Sequence, residues 1–281
     1  MRAGEARRPG RDRQRGPYRP PCVTALRHEV TGRPGAAAVV LSAGLGGLAG
    51  FWKPQRAALE EHLQVVAFDQ RGTGSNAGPL PGAYAIADMA DDVVRVLDAA
   101  GIARAHFLGH ALGGLVGLEL ARRHPGRLAR LVAVNAWAKV EPHSERCFDI
   151  RLGILEAQGP AAYVAAQPLF LHTAPYMAEH SGRMDAEIAR GIAGFQGERN
   201  LRRRIAALRA FDARADLPAI AAPTLVAASR DDLLVPWTAS RHLAEALPDA
   251  RLWLTEHGGH AFTVEQPEPF NQVLLDFLLA G

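Results

Sequence analysis

The chain predicts an α/β protein: a mostly parallel sheet with helices on both faces and a helical insertion within it. Three observations carry that expectation. From residue 36 onward, short apolar runs alternate with amphipathic stretches of helical length, the pattern of parallel strands joined by crossover helices. The rhythm stops between about 138 and 216, where helical patterns persist without a convincing strand, and then resumes. A length of 281 residues, 48% hydrophobic and 22% charged, suits a globular α/β domain carrying such an insertion.

Each element has its own reason. Residues 36–43 (AAAVVLSA) form a β-branched run that reads as a buried strand, closed by the turn Gly44-Leu45-Gly46-Gly47. Residues 55–63 read as a helix and 64–69 (QVVAFD) as the next strand. In 84–101 the apolar positions 85, 89, 93, 94 and 97 follow a helical period that Gly101 ends. A strand at 106–109, a helix at 112–123 stopped by His124-Pro125, and a strand at 128–135 complete the first half. After the break come a strand at 223–227 (PTLVA), a helix at 237–247, a strand at 250–255 and a closing helix at 267–279. An insertion between strands of an open parallel sheet covers their C-terminal ends, where ligands bind. The expected organisation is therefore a core of residues 22–137 and 217–281, with 138–216 as its lid.

Charge and cysteine content exclude several function classes. Seven of the 32 basic residues but only two of the 29 acidic ones fall in residues 1–21, so this segment carries +5 and the remainder −2. The basicity thus belongs to an Arg/Pro/Gly-rich tail, expected to be disordered, rather than to a nucleic-acid-binding body. Cys22 and Cys147 cannot build a disulfide framework, and no pair has metal-ligand spacing. No apolar run is long enough for a membrane span or the core of a secretory signal. The expectation is a cytoplasmic enzyme with a small-molecule substrate, no cofactor, no metal, no nucleic-acid or membrane partner, and room for homo-oligomers.

The chemistry sits in four places. Gly109-His110-Ala111-Leu112-Gly113 lies between a strand and a helix, where α/β-hydrolases carry a G-x-S-x-G nucleophile elbow. Here the central residue is Ala111, whose methyl cannot attack a carbonyl. Leu45, in the turn after the first strand, and Leu112, next to the elbow position, are the candidate backbone oxyanion donors. A plain strand-to-helix connection is the competing reading of that turn. Asp69-Gln70-Arg71-Gly72-Thr73-Gly74-Ser75 is a loop whose charges brace the chain more readily than they touch substrate. Asp232, four residues before Pro236, is the candidate acid, with Asp231 as its neighbour and competitor. Among eleven histidines, His260 follows the last strand directly after Gly258-Gly259 and is the candidate base; His257 is the near alternative. His110 reads as a packed neighbour.

These residues, together with the insertion words Arg146-Cys147-Phe148, Gln167-Pro168-Leu169-Phe170-Leu171 and Phe195-Gln196-Gly197, resemble the RutD family of the α/β-hydrolase superfamily over about residues 36–281. The resemblance implies hydrolysis of carbamate to ammonia and carbon dioxide in uracil and pyrimidine catabolism, supplying nitrogen. The serine-less elbow implies an Asp232–His260 pair working with the backbone donors of Leu45 and Leu112. Two alternatives remain: a nucleophile-less lyase or oxygenase acting on a larger substrate, and a non-catalytic ligand-binding relic. Cavity size discriminates, since carbamate needs a small polar space and a larger substrate an apolar one. Trp137, Phe148, Phe170 and Phe195 are the expected lining.

Overall fold

The apolar runs become seven strands of one sheet in the computed structural model, which describes residues 25–280. They are β1 (His28–Gly32), β2 (Ala38–Ser42), β3 (Gln64–Phe68), β4 (Ala105–His110), β5 (Leu128–Val134), β6 (Thr224–Ser229) and β7 (Ala250–Thr255). Their spatial order is β1-β3-β2-β4-β5-β6-β7, with β1 antiparallel to β3 and every other neighbouring pair parallel. The expected tail at residues 1–21 lies outside the described residues, as does Cys22.

Strands β2, β4 and β6 are buried along their whole length, because helices cover both faces of a parallel sheet. Between the strands run α1 (Lys53–Glu60), α2 (Ile86–Ala99) and α3 (Leu112–Arg123). On one face Val39, Leu41, Val65 and Leu108 meet Leu59 of α1 and aromatic residues near the C-terminus. On the other, Val40, Val66, Phe107 and Leu131 pack with Met89 and Val93 of α2 and Leu115 and Val116 of α3. Alternate strand residues thus supply two separate cores. Strand β1 escapes sequence reading, which starts the sheet at residue 36. Its residues HEVTG are partly or fully exposed and have no buried face to leave a periodic signature.

Between β5 and β6 lie four helices: α4 (Pro142–Leu171), α5 (Ala174–Glu179), α6 (Ser181–Ala193) and α7 (Glu198–Ala210). Helix α4 is broken at Gly159, whose φ of 83° leaves the helical region just before Pro160. This insertion is tied to the loops that follow the strands. Ser144 Oγ donates to Leu234 O at 2.9 Å, Asn200 Nδ2 to Gly78 O at 2.8 Å, and the Ala261 N–H to Leu171 O at 2.8 Å. Its neck is closed by a bridge between Lys139 and Asp212. The chain ends with α8 (Trp237–Ala246), α9 (Phe262–Glu265) and α10 (Pro267–Leu278), whose Phe270, Leu274 and Phe277 fill the second core. Among the described residues no helix is long and apolar enough to cross a membrane.

Candidate active site

At the end of β4 the chain turns sharply into α3, with Ala111 at φ 47°, ψ −109°. A non-glycine residue there is strained, and such strain is held only by surrounding packing. Two glycines permit it. A Cβ on Gly109 would lie 2.3 Å from Gly113 O, and one on Gly113 would lie 2.2 Å from Ser42 O. The Ala111 N–H is fixed to Val134 O at 2.8 Å. The next N–H, of Leu112, begins the helix and has no intrahelical acceptor.

The turn after β2 is held from behind. Gly44 O accepts the Gly47 N–H at 3.0 Å and the Arg204 Nη2–H at 3.4 Å. In a planar trans peptide the following Leu45 N–H then points the opposite way. Leu45 O accepts from Gln196 Nε2 and Arg204 Nε, both at 3.2 Å. Arg204 is fully buried, also donates to Gln70 Oε1, and has its pKa lowered to about 10 by desolvation, so it stays cationic near neutrality. Gln70 in turn donates to Ser42 Oγ and Ala43 O. The loop from Asp69 to Ser75 is thus a brace, as its sequence suggested: Asp69 accepts the Ala49 and Ser75 N–H groups, and Arg71 grips Asp92.

Asp232 and His260 meet. His260 Nδ1 and Asp232 Oδ2 lie 2.7 Å apart, with both side chains almost wholly buried. The other Asp232 oxygen accepts the Leu234 and Val235 N–H groups at 2.7 and 2.8 Å. Asp231 has a different task. Its carboxylate accepts from Ser229 Oγ and from the Gly258 and Gly259 N–H groups. Burial pushes its pKa up, but these bonds prevail and hold it below the ordinary value. It therefore shapes the loop that carries His260. His257 is exposed and faces Asp231 at 3.6 Å, apart from the Asp232–His260 pair.

Two residues grip the His260 backbone. His110 Nε2 donates to His260 O at 2.9 Å, and Asn135 Nδ2 donates to the same oxygen at 2.8 Å. Burial, then the nearby His260 ring, push the His110 pKa well below its usual value, so it is a neutral packing partner whose ring centre lies 4.5 Å from that of Phe51, tilted by 32°. Sequence reading gave His110 that role but missed Asn135. Asn135 sits just past β5 at φ 47°, a left-handed conformation that Asn tolerates better than most residues.

Leu45, Ala111, Leu112 and His260 all line one cavity of about 1060 Å³. Its remaining wall is largely apolar, and the insertion supplies much of it, including Phe148, Tyr163, Phe195 and Leu208. Trp137 also lines it, while Phe170 stands behind, against Arg151. The small polar space expected for carbamate alone is not what forms. Arg151, Asn135 and Arg204 were the residues sequence reading missed. A lone Arg on a helix looks like a surface cation, and only the break at Gly159 brings its partners together. Among the described residues no three metal-binding side chains gather.

Comparison with known proteins agrees with this architecture. Residues 37–267 match the family model for the alpha/beta hydrolase fold. A relative named "Putative carbamate hydrolase RutD" from Variovorax paradoxus is 56% identical over 90% of this chain and 96% of its own length. One of the same name from Agrobacterium fabrum is 50% identical over 90% of this chain and 98% of its own. The crystal structure of the enol-lactonase from Burkholderia xenovorans superimposes with a TM-score of 0.82 at 30% identity, covering 90% of this chain and 96% of that one. With seven strands in this order, an elbow after β4 and relatives of this similarity, the chain is a hydrolase-fold protein and belongs to the RutD family of α/β-hydrolases.

Proposed function

We propose that the chain accelerates cleavage of a carbamate C–N bond without a protein nucleophile. The observation that carries this reading is the buried Asp232–His260 pair, 2.7 Å apart, beside an elbow that holds a methyl group instead of a hydroxyl. Carbamate is an anion that repels nucleophiles but decomposes once its nitrogen is protonated. With Nδ1 committed to Asp232, His260 Nε2 is left to meet substrate. The imidazolium gives its proton to the carbamate nitrogen. The C–N electron pair leaves with ammonia, the carboxylate becomes carbon dioxide, and the ring regains a proton from solvent. The Leu45 and Leu112 N–H groups hold the carboxylate oxygens, Asp232 orients the ring, and the insertion serves as a lid that keeps water away.

The names of the relatives support carbamate; the cavity favours a second reading. Pockets of about 300–1000 Å³ enclose ligands of drug size, and this one, near 1060 Å³, exceeds what carbamate fills. A nucleophile-free reaction on a larger substrate uses the same His260 and Asp232. Ammonia release from fresh carbamate, corrected for spontaneous decay, tests the first reading. His260→Ala should lose the acceleration, about 10²–10⁴-fold for a general acid, while His257→Ala keeps it. No acceleration by the wild type would overturn the carbamate reading and leave the larger-substrate and ligand-binding readings.

A further inference from the structure

The insertion wall of the cavity holds a buried cation with no counter-ion. Arg151 is 4% exposed and lines the cavity. Its guanidinium lies 5.6–5.7 Å from the ring centres of Phe148, Tyr163 and Phe170. Nη2 donates to Tyr163 Oη at 3.1 Å and to Gln167 Oε1, and both partners are neutral. Nε and Nη1 have no acceptor, and no carboxylate pairs with Arg151 among the described residues. Leaving a charge buried and unpaired is costly, so a fold that keeps one beside a cavity is built for an anion to complete it. The rim agrees in sign: the exposed lining residues Lys53, Arg183 and Arg190 outnumber Glu187.

We propose that Arg151 binds the carboxylate of the substrate, and that this substrate is an organic acid with an apolar chain. This rests on the reading of His260 and Asp232 as the reacting end of the same cavity. Every contact of Arg151 just given is with the insertion, whereas His260 is held by Asp232, His110 and Asn135 of the core. A molecule engaging both walls therefore spans the cavity. The guanidinium takes its carboxylate, the chain packs against Phe148 and Phe195, and the reacting group faces His260.

The test is calorimetric titration of wild type, Arg151→Met, Arg151→Lys and His260→Ala with alkanoates from propanoate to hexanoate and with the primary amides of the same acids. Wild type and His260→Ala should bind the acids, more tightly as the chain lengthens, and bind the amides about tenfold or more weakly, as expected for loss of a charged hydrogen bond. Arg151→Met should lose that preference for acids, and Arg151→Lys should retain part of it. Arg151→Met keeps the apolar stem between the rings and removes the unpaired charge, so its melting temperature should equal or exceed wild type, separating lost binding from lost folding. Equal binding of acids and amides, or an undiminished preference in Arg151→Met, overturns the proposal while leaving the role of His260 untouched. Acid binding through Arg151 with no effect of His260→Ala on turnover would instead keep the carboxylate site and remove the proposed reaction.

Discussion

The cavity has two walls built on opposite principles. The sheet wall is made of backbone: the Ala111 elbow, the turn around Leu45, and two loops that press Asp232 against His260. Its reacting pair is held on every side, with three hydrogen bonds on Asp232 and two on the His260 carbonyl. The insertion wall is made of side chains on a broken helix, and its central charge, Arg151, has donors left over. A reacting centre demands groups fixed before substrate arrives. A recognition surface gains affinity from groups that substrate alone completes. Under the proposed function and the proposed carboxylate site, the first wall sets the chemistry and the second chooses the molecule.

Glycine substitutions should expose this difference most strongly. On the sheet wall, Gly113→Ala places a Cβ 2.2 Å from Ser42 O and 2.8 Å from Ala43 O, both backbone atoms that cannot rotate aside. Helix α3 must retreat from β2, and urea unfolding should show a loss of about 3 kcal/mol or more, at the upper end for overpacking. In the insertion, outside the cavity lining, Gly153 lies within α4, is exposed, and a Cβ there meets nothing within 4 Å. Gly153→Ala should stabilise by about 0.5–1 kcal/mol, the helix preference of Ala over Gly. Equal effects at both positions would mean that α3 can retreat from β2 at little cost.

The same contrast decides what could be read from sequence. Gly109 and Gly113 are legible because packing leaves no atom's width for a side chain, and that demand is local to a strand–turn–helix. Asp232 and His260 are legible because each follows a recognisable strand. Arg151 is not. Its partners Tyr163 and Gln167 lie twelve and sixteen residues on, about 18 and 24 Å along a straight helix at 1.5 Å per residue. Only the fold-back at Gly159 makes them neighbours. Arg204 and Asn135 are hidden likewise, since the turn and the carbonyl they brace are remote in the chain. Strand β1 is hidden for the opposite reason: it buries too little to be patterned.

Ala111→Ser tests whether the sheet wall is complete but for one oxygen. The backbone there already adopts the elbow conformation, and the residue lines the cavity beside His260. The added hydroxyl should acquire His260 as its base and the Leu45 and Leu112 amides as its oxyanion site. Small activated esters should then be hydrolysed by Ala111→Ser, weakly, and not by the parent; adding His260→Ala should remove the activity. Carbamate breakdown should not accelerate, because an anion gains nothing from a nucleophile. A large acceleration would overturn the protonation mechanism, and no esterase activity would mean His260 does not face the elbow.

A further effect concerns acid, and it belongs to the sheet. His106 and His110 share one face of β4, both buried. Burial, followed by the charges of Arg130 and Arg104, lowers the His106 pKa from 6.5 to about 4, and His110 is depressed too. The folded chain therefore binds fewer protons than the unfolded chain between these values, so stability rises with pH there and falls on acidification. One such proton changes stability by at most about 1.4 kcal/mol per pH unit. His106→Gln removes one titrating group far from the elbow, at the opposite end of β4. Urea unfolding followed from pH 7 to pH 4 should show a shallower decline for this variant than for wild type, with the two curves converging in slope above pH 6.5. Parallel curves throughout would mean that His106 titrates alike in both states.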